Sequence, residues 1–301
     1  MSRTKLIGGA AAALTGLGAT VAVGAWVEAQ AFLLRRVTVP VLPAGQRDIR
    51  VLHISDIHLM PYQRRKLDFI SKLAGLQPDL VISTGDNASS PDTDAPLVDA
   101  LGDLLKVPGV FVFGSNDFVE PRFRNPLSYL VSRSSLHDDP NPLPWWRVHD
   151  AFLDAGWRYL DNQAGRLQVA GRVVDFRGTG DAHMGLDNYA SLAGPSAPDA
   201  DLTIGVTHSP YRRVLDAMTT DGLDMIFAGH THGGQVCLPV NRALTTNCDL
   251  PLRQASGLSS WTAAGNTVPL HVSAGIGTNP FVPLRLFCRP EATLLRLVAV
   301  A

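Results

Sequence analysis

The sequence predicts an α/β fold of parallel strands and crossover helices, preceded by one N-terminal transmembrane helix. Three observations predict it. Residues Leu6 to Val27 carry no charge, and at about 1.5 Å per residue such a run reaches roughly 33 Å, close to a bilayer core. Apolar, β-branched runs then alternate with segments whose apolar residues recur at three and four positions, the spacing of a half-buried helix. Each strand candidate stops on a polar cluster, so the carboxyl ends of the strands carry the chemistry.

Composition limits the alternatives. The 301 residues are 46% hydrophobic, enough for a sizeable core. Lys plus Arg number 26 against 27 Asp plus Glu, a net charge of -1, which leaves no electrostatic footprint for a nucleic-acid duplex. Cys237, Cys248 and Cys288 lack CxxC spacing, so buried free thiols are expected in place of a disulfide framework or a thiolate zinc site.

Residues 1–36 read as the membrane anchor. A signal peptide is the rival, because "AQA" at Ala29 to Ala31 resembles a cleavage site; its apolar core would span only about 7 to 15 residues, and the longer run favours an uncleaved single-pass anchor. Arg3 and Lys5 flank one end, while Arg35, Arg36, Arg47 and Arg50 follow the other, a bias that leans toward a cytoplasmic domain. Residues 37–48, with Pro40 and Pro43, read as an extended linker because proline discourages helix. The folded domain is expected over residues 49–301.

Within it, "IRVLHIS" ends in "DIH", "LVISTG" ends in "DN", and "GVFVFG" ends in "SND". Between them, "RRKLDFISKLAGL" and "APLVDALGDLLKV" have helical spacing. Asp86 stands 30 positions after Asp56, and Asn116 another 30 after Asp86, the length of a βαβ unit. Right-handed crossovers bring the carboxyl ends of parallel strands to one edge. "DLTIGVTH" and "LDMIFAGHTH" supply two more such ends, and "HVSAGIG" and "ATLLRLVAV" read as late strands.

The converging set is Asp56, His58, Asp86, Asn116, His208, His230 and His232. Carboxylate, imidazole and amide donors without sulfur suit divalent Mn, Fe, Zn or Co. Seven ligands exceed the needs of one catalytic ion and match two ions sharing a carboxylate.

In order and spacing, "DIH", "GDN", "GSND", "THSP" and "GHTH" resemble the calcineurin-like metallophosphoesterase superfamily, in particular its membrane-anchored single-domain branch. The resemblance implies a two-sheet α/β sandwich with a dinuclear site. Asp56, His58 and His232 would hold one ion, Asn116, His208 and His230 the other, and Asp86 would bridge them. It further implies hydrolysis of phosphodiester or pyrophosphate bonds by a metal-bridging hydroxide, on substrates that extend to lipid-linked phosphoesters at the membrane. A protein phosphatase and a non-catalytic metal-binding module are the alternatives. One motif departs: "GSND" keeps Asn116 as a ligand if one residue is inserted, but the histidine that the family places next is missing. Asp117 follows instead, as a structural hydrogen-bonding group or a substitute acid.

His53, His137, His149 and His271 are expected to be ordinary satisfied polar groups. "GDAH" at Gly180 to His183 follows another strand-like run and is expected on a loop at the cleft rim. Residues 119–147 hold five prolines and read as a lid or surface excursion above the metal edge. Arg122, Arg124 and Arg133 are its candidate phosphate contacts, and Trp145 and Trp146 its candidate apolar or membrane contacts.

Overall fold

The alternation of apolar runs and polar stops becomes two six-stranded sheets packed face to face. The structure, a computed structural model, describes residues 16, 18–121, 141–240 and 242–300. In chain order the strands are β1 (Leu33–Leu42), β2 (Ile49–Ile54), β3 (Leu80–Ser83), β4 (Gly109–Phe111), β5 (Arg158–Tyr159), β6 (Ala164–Val169), β7 (Arg172–Thr179), β8 (Leu202–Thr207), β9 (Met225–Ala228), β10 (Cys237–Leu238), β11 (Arg242–Ala243), β12 (Gly257–Ala263), β13 (Asn266–Val272) and β14 (Glu291–Ala299). The first sheet runs β1-β14-β2-β3-β4-β5 and the second β12-β13-β9-β8-β7-β6; β10 and β11 form a separate hairpin.

β2 to β5 are parallel, as are β7, β8, β9 and β13. The central strands β3, β4, β8 and β9 are buried on both faces, which is why they read as continuous apolar runs. Val51, Ile82 and Val110 meet Ile204, Val206 and Phe227 between the sheets. Outside the first sheet, helices Arg64–Ser71, Asp94–Leu101 and Trp145–Asp154 seat Ile70, Leu97 and Phe152. Outside the second, helix Arg212–Thr220 seats Val214, Leu215 and Met218 against Ile226 and Leu270.

One stretch differs from its sequence reading. Residues 33–42, divided above between anchor and linker, are extended but not free: β1 pairs in parallel with β14, from Leu33 opposite Glu291 to Val39 opposite Leu297. Pro40 is tolerated because β1 is an edge strand, where a missing N–H leaves no ladder partner wanting. Arg35 also pairs with the buried Glu291 carboxylate.

Residues 18–28 are helical. Among the described residues no helix is long and apolar enough to cross a membrane, and part of the run Leu6 to Val27 lies outside them. The same holds for Arg122, Arg124, Arg133 and His137. Trp145 starts the helix Trp145–Asp154 and packs edge-on to Phe118 and His149, at 5.6 and 5.7 Å between ring centres. All three cysteines are free and buried.

Candidate metal centre

The parallel strands deliver their carboxyl ends to one edge. Asp56 and His58 follow β2, Asp86 follows β3, Asn116 follows β4, His208 follows β8, and His230 and His232 follow β9. The side chains form a continuous chain of close approaches. His58 Nε2 lies 3.1 Å from His232 Nε2 and 3.3 Å from Asp86 Oδ2. His208 Nε2 is 3.5 Å from the same Asp86 oxygen and 3.3 Å from His230 Nδ1. His232 Nε2 is 3.6 Å from Asp56 Oδ1, and Asn116 Nδ2 donates to Asp86 Oδ2 at 2.8 Å.

Two groups could each hold a cation: Asp56 with His58 and His232, and Asp56 with Asp86 and His208, their ligand atoms all within 4.8 Å of one another. Asp56 thus belongs to both, while Asp86 also faces the imidazoles of both, so either carboxylate is placed to be shared.

The backbone is bent to achieve this. Asp56, His58, Asp86, His230 and His232 have φ of 48°, 43°, 55°, 67° and 50°. Non-glycine residues enter this left-handed region seldom, and they do so where the surroundings over-determine them. Close approach also demands glycine at two motif positions. A Cβ at Gly114 would lie 2.4 Å from both Asp86 Oδ1 and His208 Nε2, and one at Gly229 would lie 2.0 Å from Ser55 Oγ.

The hydrogen bonds select the ring tautomers. His208 Nδ1 lies 2.6 Å from the Thr84 carbonyl and His232 Nδ1 3.2 Å from that of Gly277. Carbonyls only accept, so Nδ1 carries the proton and Nε2 turns a lone pair inward. His58 Nδ1 has Ser89 Oγ at 3.1 Å, which permits the same arrangement. Several lone pairs and two buried carboxylates aimed at one space are the donor set of a cation site.

The electrostatics agree. Burial holds His230 and His232 well below the usual imidazole range, with His208 and His58 respectively adding to it. Burial raises Asp86, but His208 and His58 outweigh it and hold that carboxyl well below its usual value. Burial lowers His208, but Asp86 outweighs it and drives the ring well up, a shift that a divalent cation at the same place would reverse.

Other residues escaped the sequence reading. Lys66 Nζ donates to the carbonyls of Ile57 and His58 at 2.5 and 3.2 Å, and burial pushes it down to about 7. Arg285, fully buried, donates to the carbonyls of His232, Ala274 and Gly277 at 3.2, 2.6 and 2.6 Å. Nothing local marks it, since it lies far along the chain from His232. The "GDAH" loop does stand at the rim, after β7, and the same strand-end rule could have drawn it in. The His183 ring lies 4.7 Å from that of His230, and Tyr211 Oη is 2.9 Å from its Nδ1. His53 and His271 face each other in the interior, Nδ1 to Nδ1 at 2.8 Å.

Known proteins match this sequence. A Bacillus subtilis protein, uncharacterized protein YpbG, is 27% identical over 96% of this chain and 93% of its own length. A bovine transmembrane protein with metallophosphoesterase domain is 28% identical over 92% of this chain and 60% of its own. The Escherichia coli phosphodiesterase YaeI is 30% identical over 50% of this chain and 51% of its own. The chain thus spans little more than half the length of the latter two. The family model of calcineurin-like phosphoesterases matches residues 49–234, the stretch that runs from β2 through the last histidine of the cluster, and the chain belongs to that family.

Proposed function

We propose that the chain is a dinuclear metallophosphoesterase, anchored in a membrane by its N-terminal run, that hydrolyses phosphodiester or pyrophosphate bonds, including those of lipid-linked substrates. One observation carries the reading: Asp56, His58, Asp86, His208 and His232 approach within 4.8 Å in two overlapping groups that are buried at a sheet edge. Membership of the family supports metal-dependent phosphoester hydrolysis, and the name of the bovine relative supports the membrane.

Asp56, His58 and His232 would hold one divalent ion, and Asn116, His208 and His230 the second, with Asp86 between them. Bound there, such ions acidify water and neutralise charge that develops on phosphoryl oxygens. The protein's own part is to fix the donors. Thr84 and Gly277 orient His208 and His232, while Asp117 holds the backbone of Asp86. The turn at Ser115 and Asn116 carries no histidine to protonate a leaving group, which favours substrates whose leaving group is already stable, such as a pyrophosphate.

The test is metal analysis of the purified full chain beside hydrolysis of bis-p-nitrophenyl phosphate, a lipid pyrophosphate and phosphopeptides, with added Mn. Two equivalents of metal with turnover of the first two substrates are expected. Turnover of phosphopeptides alone would mark a protein phosphatase, and metal without any turnover would mark a binding module.

A further inference from the structure

The edge that carries His232 is also where exposed apolar side chains gather. Trp26, Val27, Leu238, Val240, Phe281 and Phe287 are all exposed, Val240 to 74%. Their segments are stitched together. Val236 bridges Leu286, and Cys237 N–H donates to the Leu286 carbonyl at 2.8 Å. The helical residues before them join the same surface: Arg285 N–H donates to Ala25 O at 3.0 Å, and the Glu28 carboxylate accepts the N–H of Phe287 and Cys288 at 3.0 and 2.6 Å. Exposed apolar side chains on segments held together in this way mark an interaction site.

We infer that this rim seats on the lipid surface, so that the metal edge opens onto the head-group layer. The inference rests on the membrane anchoring proposed above and adds which face of the domain meets the bilayer. The chain itself selects the occupant. Immediately before Trp26 lies the uncharged run that begins at Leu6, and the point where that run meets the fold is the apolar rim. Trp26 supplies the amphipathic ring that membrane interfaces favour. Arg242, exposed on the β10–β11 hairpin, meets anionic head groups.

The site follows directly. Gln235 N–H donates to His232 O at 3.0 Å, and the Arg285 side chain reaches the same carbonyl, so the rim segments and the ligand loop are one hydrogen-bonded body. A phosphoester at head-group depth reaches such an edge without leaving the bilayer, whereas the β6–β7 hairpin at the opposite edge faces away. The substrate class implied is an amphiphile whose phosphate sits in the head-group layer.

The experiment uses the full chain reconstituted in vesicles of phosphatidylcholine and phosphatidylglycerol. Val240→Cys, Phe281→Cys and, as the opposite-edge control, Gln168→Cys each carry an environment-sensitive fluorophore. Blue-shifted emission quenched by spin-labelled lipid is expected at the first two positions and not at the third. Water-like emission at Val240→Cys and Phe281→Cys overturns the inference, as does failure of the chain to bind vesicles. A blue shift that appears without vesicles and grows with protein concentration assigns the rim to a second copy and equally overturns it. Val240→Asp with Phe281→Asp is expected to slow hydrolysis of a vesicle-embedded phosphoester about tenfold while sparing a soluble diester; equal rates on both overturn the substrate assignment. If the wild type hydrolyses neither, the phosphoesterase reading falls, and the fluorescence still decides where the rim sits.

Discussion

The Asp117 carboxylate accepts the backbone N–H of Asp86 at 2.6 Å, and the Asp86 backbone at that point stands at φ 55°. The same carboxylate accepts the N–H of Asn87 at 2.8 Å and of Gly114 at 2.9 Å. Asp117 therefore clamps the "GDN" turn to the "GSND" turn. Its oxygens face backbone donors, which assigns it the structural role over that of a substitute acid. Burial and the neighbouring Asp86 push it up to about 6.

Asp117→Asn tests the clamp. Whichever way the amide points, its NH₂ meets N–H donors, and each buried donor left unmet costs roughly 1–3 kcal/mol. A loss of about 3 kcal/mol in denaturant unfolding is expected on that basis, with a drop in metal stoichiometry. A variant as stable as wild type would show that the clamp does not hold the turns.

Gly114→Ala adds one methyl where there is no room. The new carbon would sit 2.4 Å from Asp86 Oδ1 and His208 Nε2, both on buried side chains that cannot retreat. Overpacking of this kind costs about 1–3 kcal/mol. Here it also displaces two candidate ligands, so Mn affinity measured by calorimetry is expected to fall at least tenfold, and unchanged affinity would place the cation elsewhere.

What the sequence made legible was the part governed by local pattern. The strand ends at Asp56, Asp86, His208 and His232 follow from apolar runs that stop on polar clusters, and the 30-residue interval between Asp56 and Asp86 reports a βαβ unit. The pairing of β1 with β14 was not legible, because Leu33 and Glu291 are joined by no local signal and Pro40 imitates a linker. Arg285 was hidden for the same reason. An isolated arginine reads as a surface charge, and only the fold surrounds it with carbonyls. The left-handed backbone at Asp56 and His58 was equally invisible, since it is imposed by neighbours and not by residue type.

Asp161 sets a pH dependence. It accepts from Phe113 N–H at 3.1 Å and from Tyr159 Oη at 2.8 Å, and burial pushes it up to about 7. An unfolded aspartate ionises near 4. Between about 4 and 7 the folded chain keeps a proton that the unfolded chain has released, so stability falls as pH rises through that window. Asp161→Asn removes the ionisation. Each tenfold difference in proton affinity between the folded and unfolded chain is worth roughly 1.4 kcal/mol. Relative to wild type, the variant is therefore expected to gain about 4 kcal/mol between roughly pH 4 and pH 8. Parallel stability profiles would mean that Asp161 ionises without cost.

Metal binding should appear as stability, because a ligand that prefers the folded chain stabilises it by mass action. At a concentration about a hundredfold above Kd the gain is roughly 2.7 kcal/mol, or a rise in Tm of several degrees for a domain of this size. Chelation is expected to reverse it. Asp86→Ala separates this site from adventitious binding: its carboxylate lies 3.3 and 3.5 Å from the ring nitrogens of His58 and His208 and, on the proposed reading, serves both ions, so the variant should melt at the same temperature with and without Mn. A variant that still gains the full increment would show that the cation which stabilises the chain does not sit among Asp56, Asp86 and the four histidines.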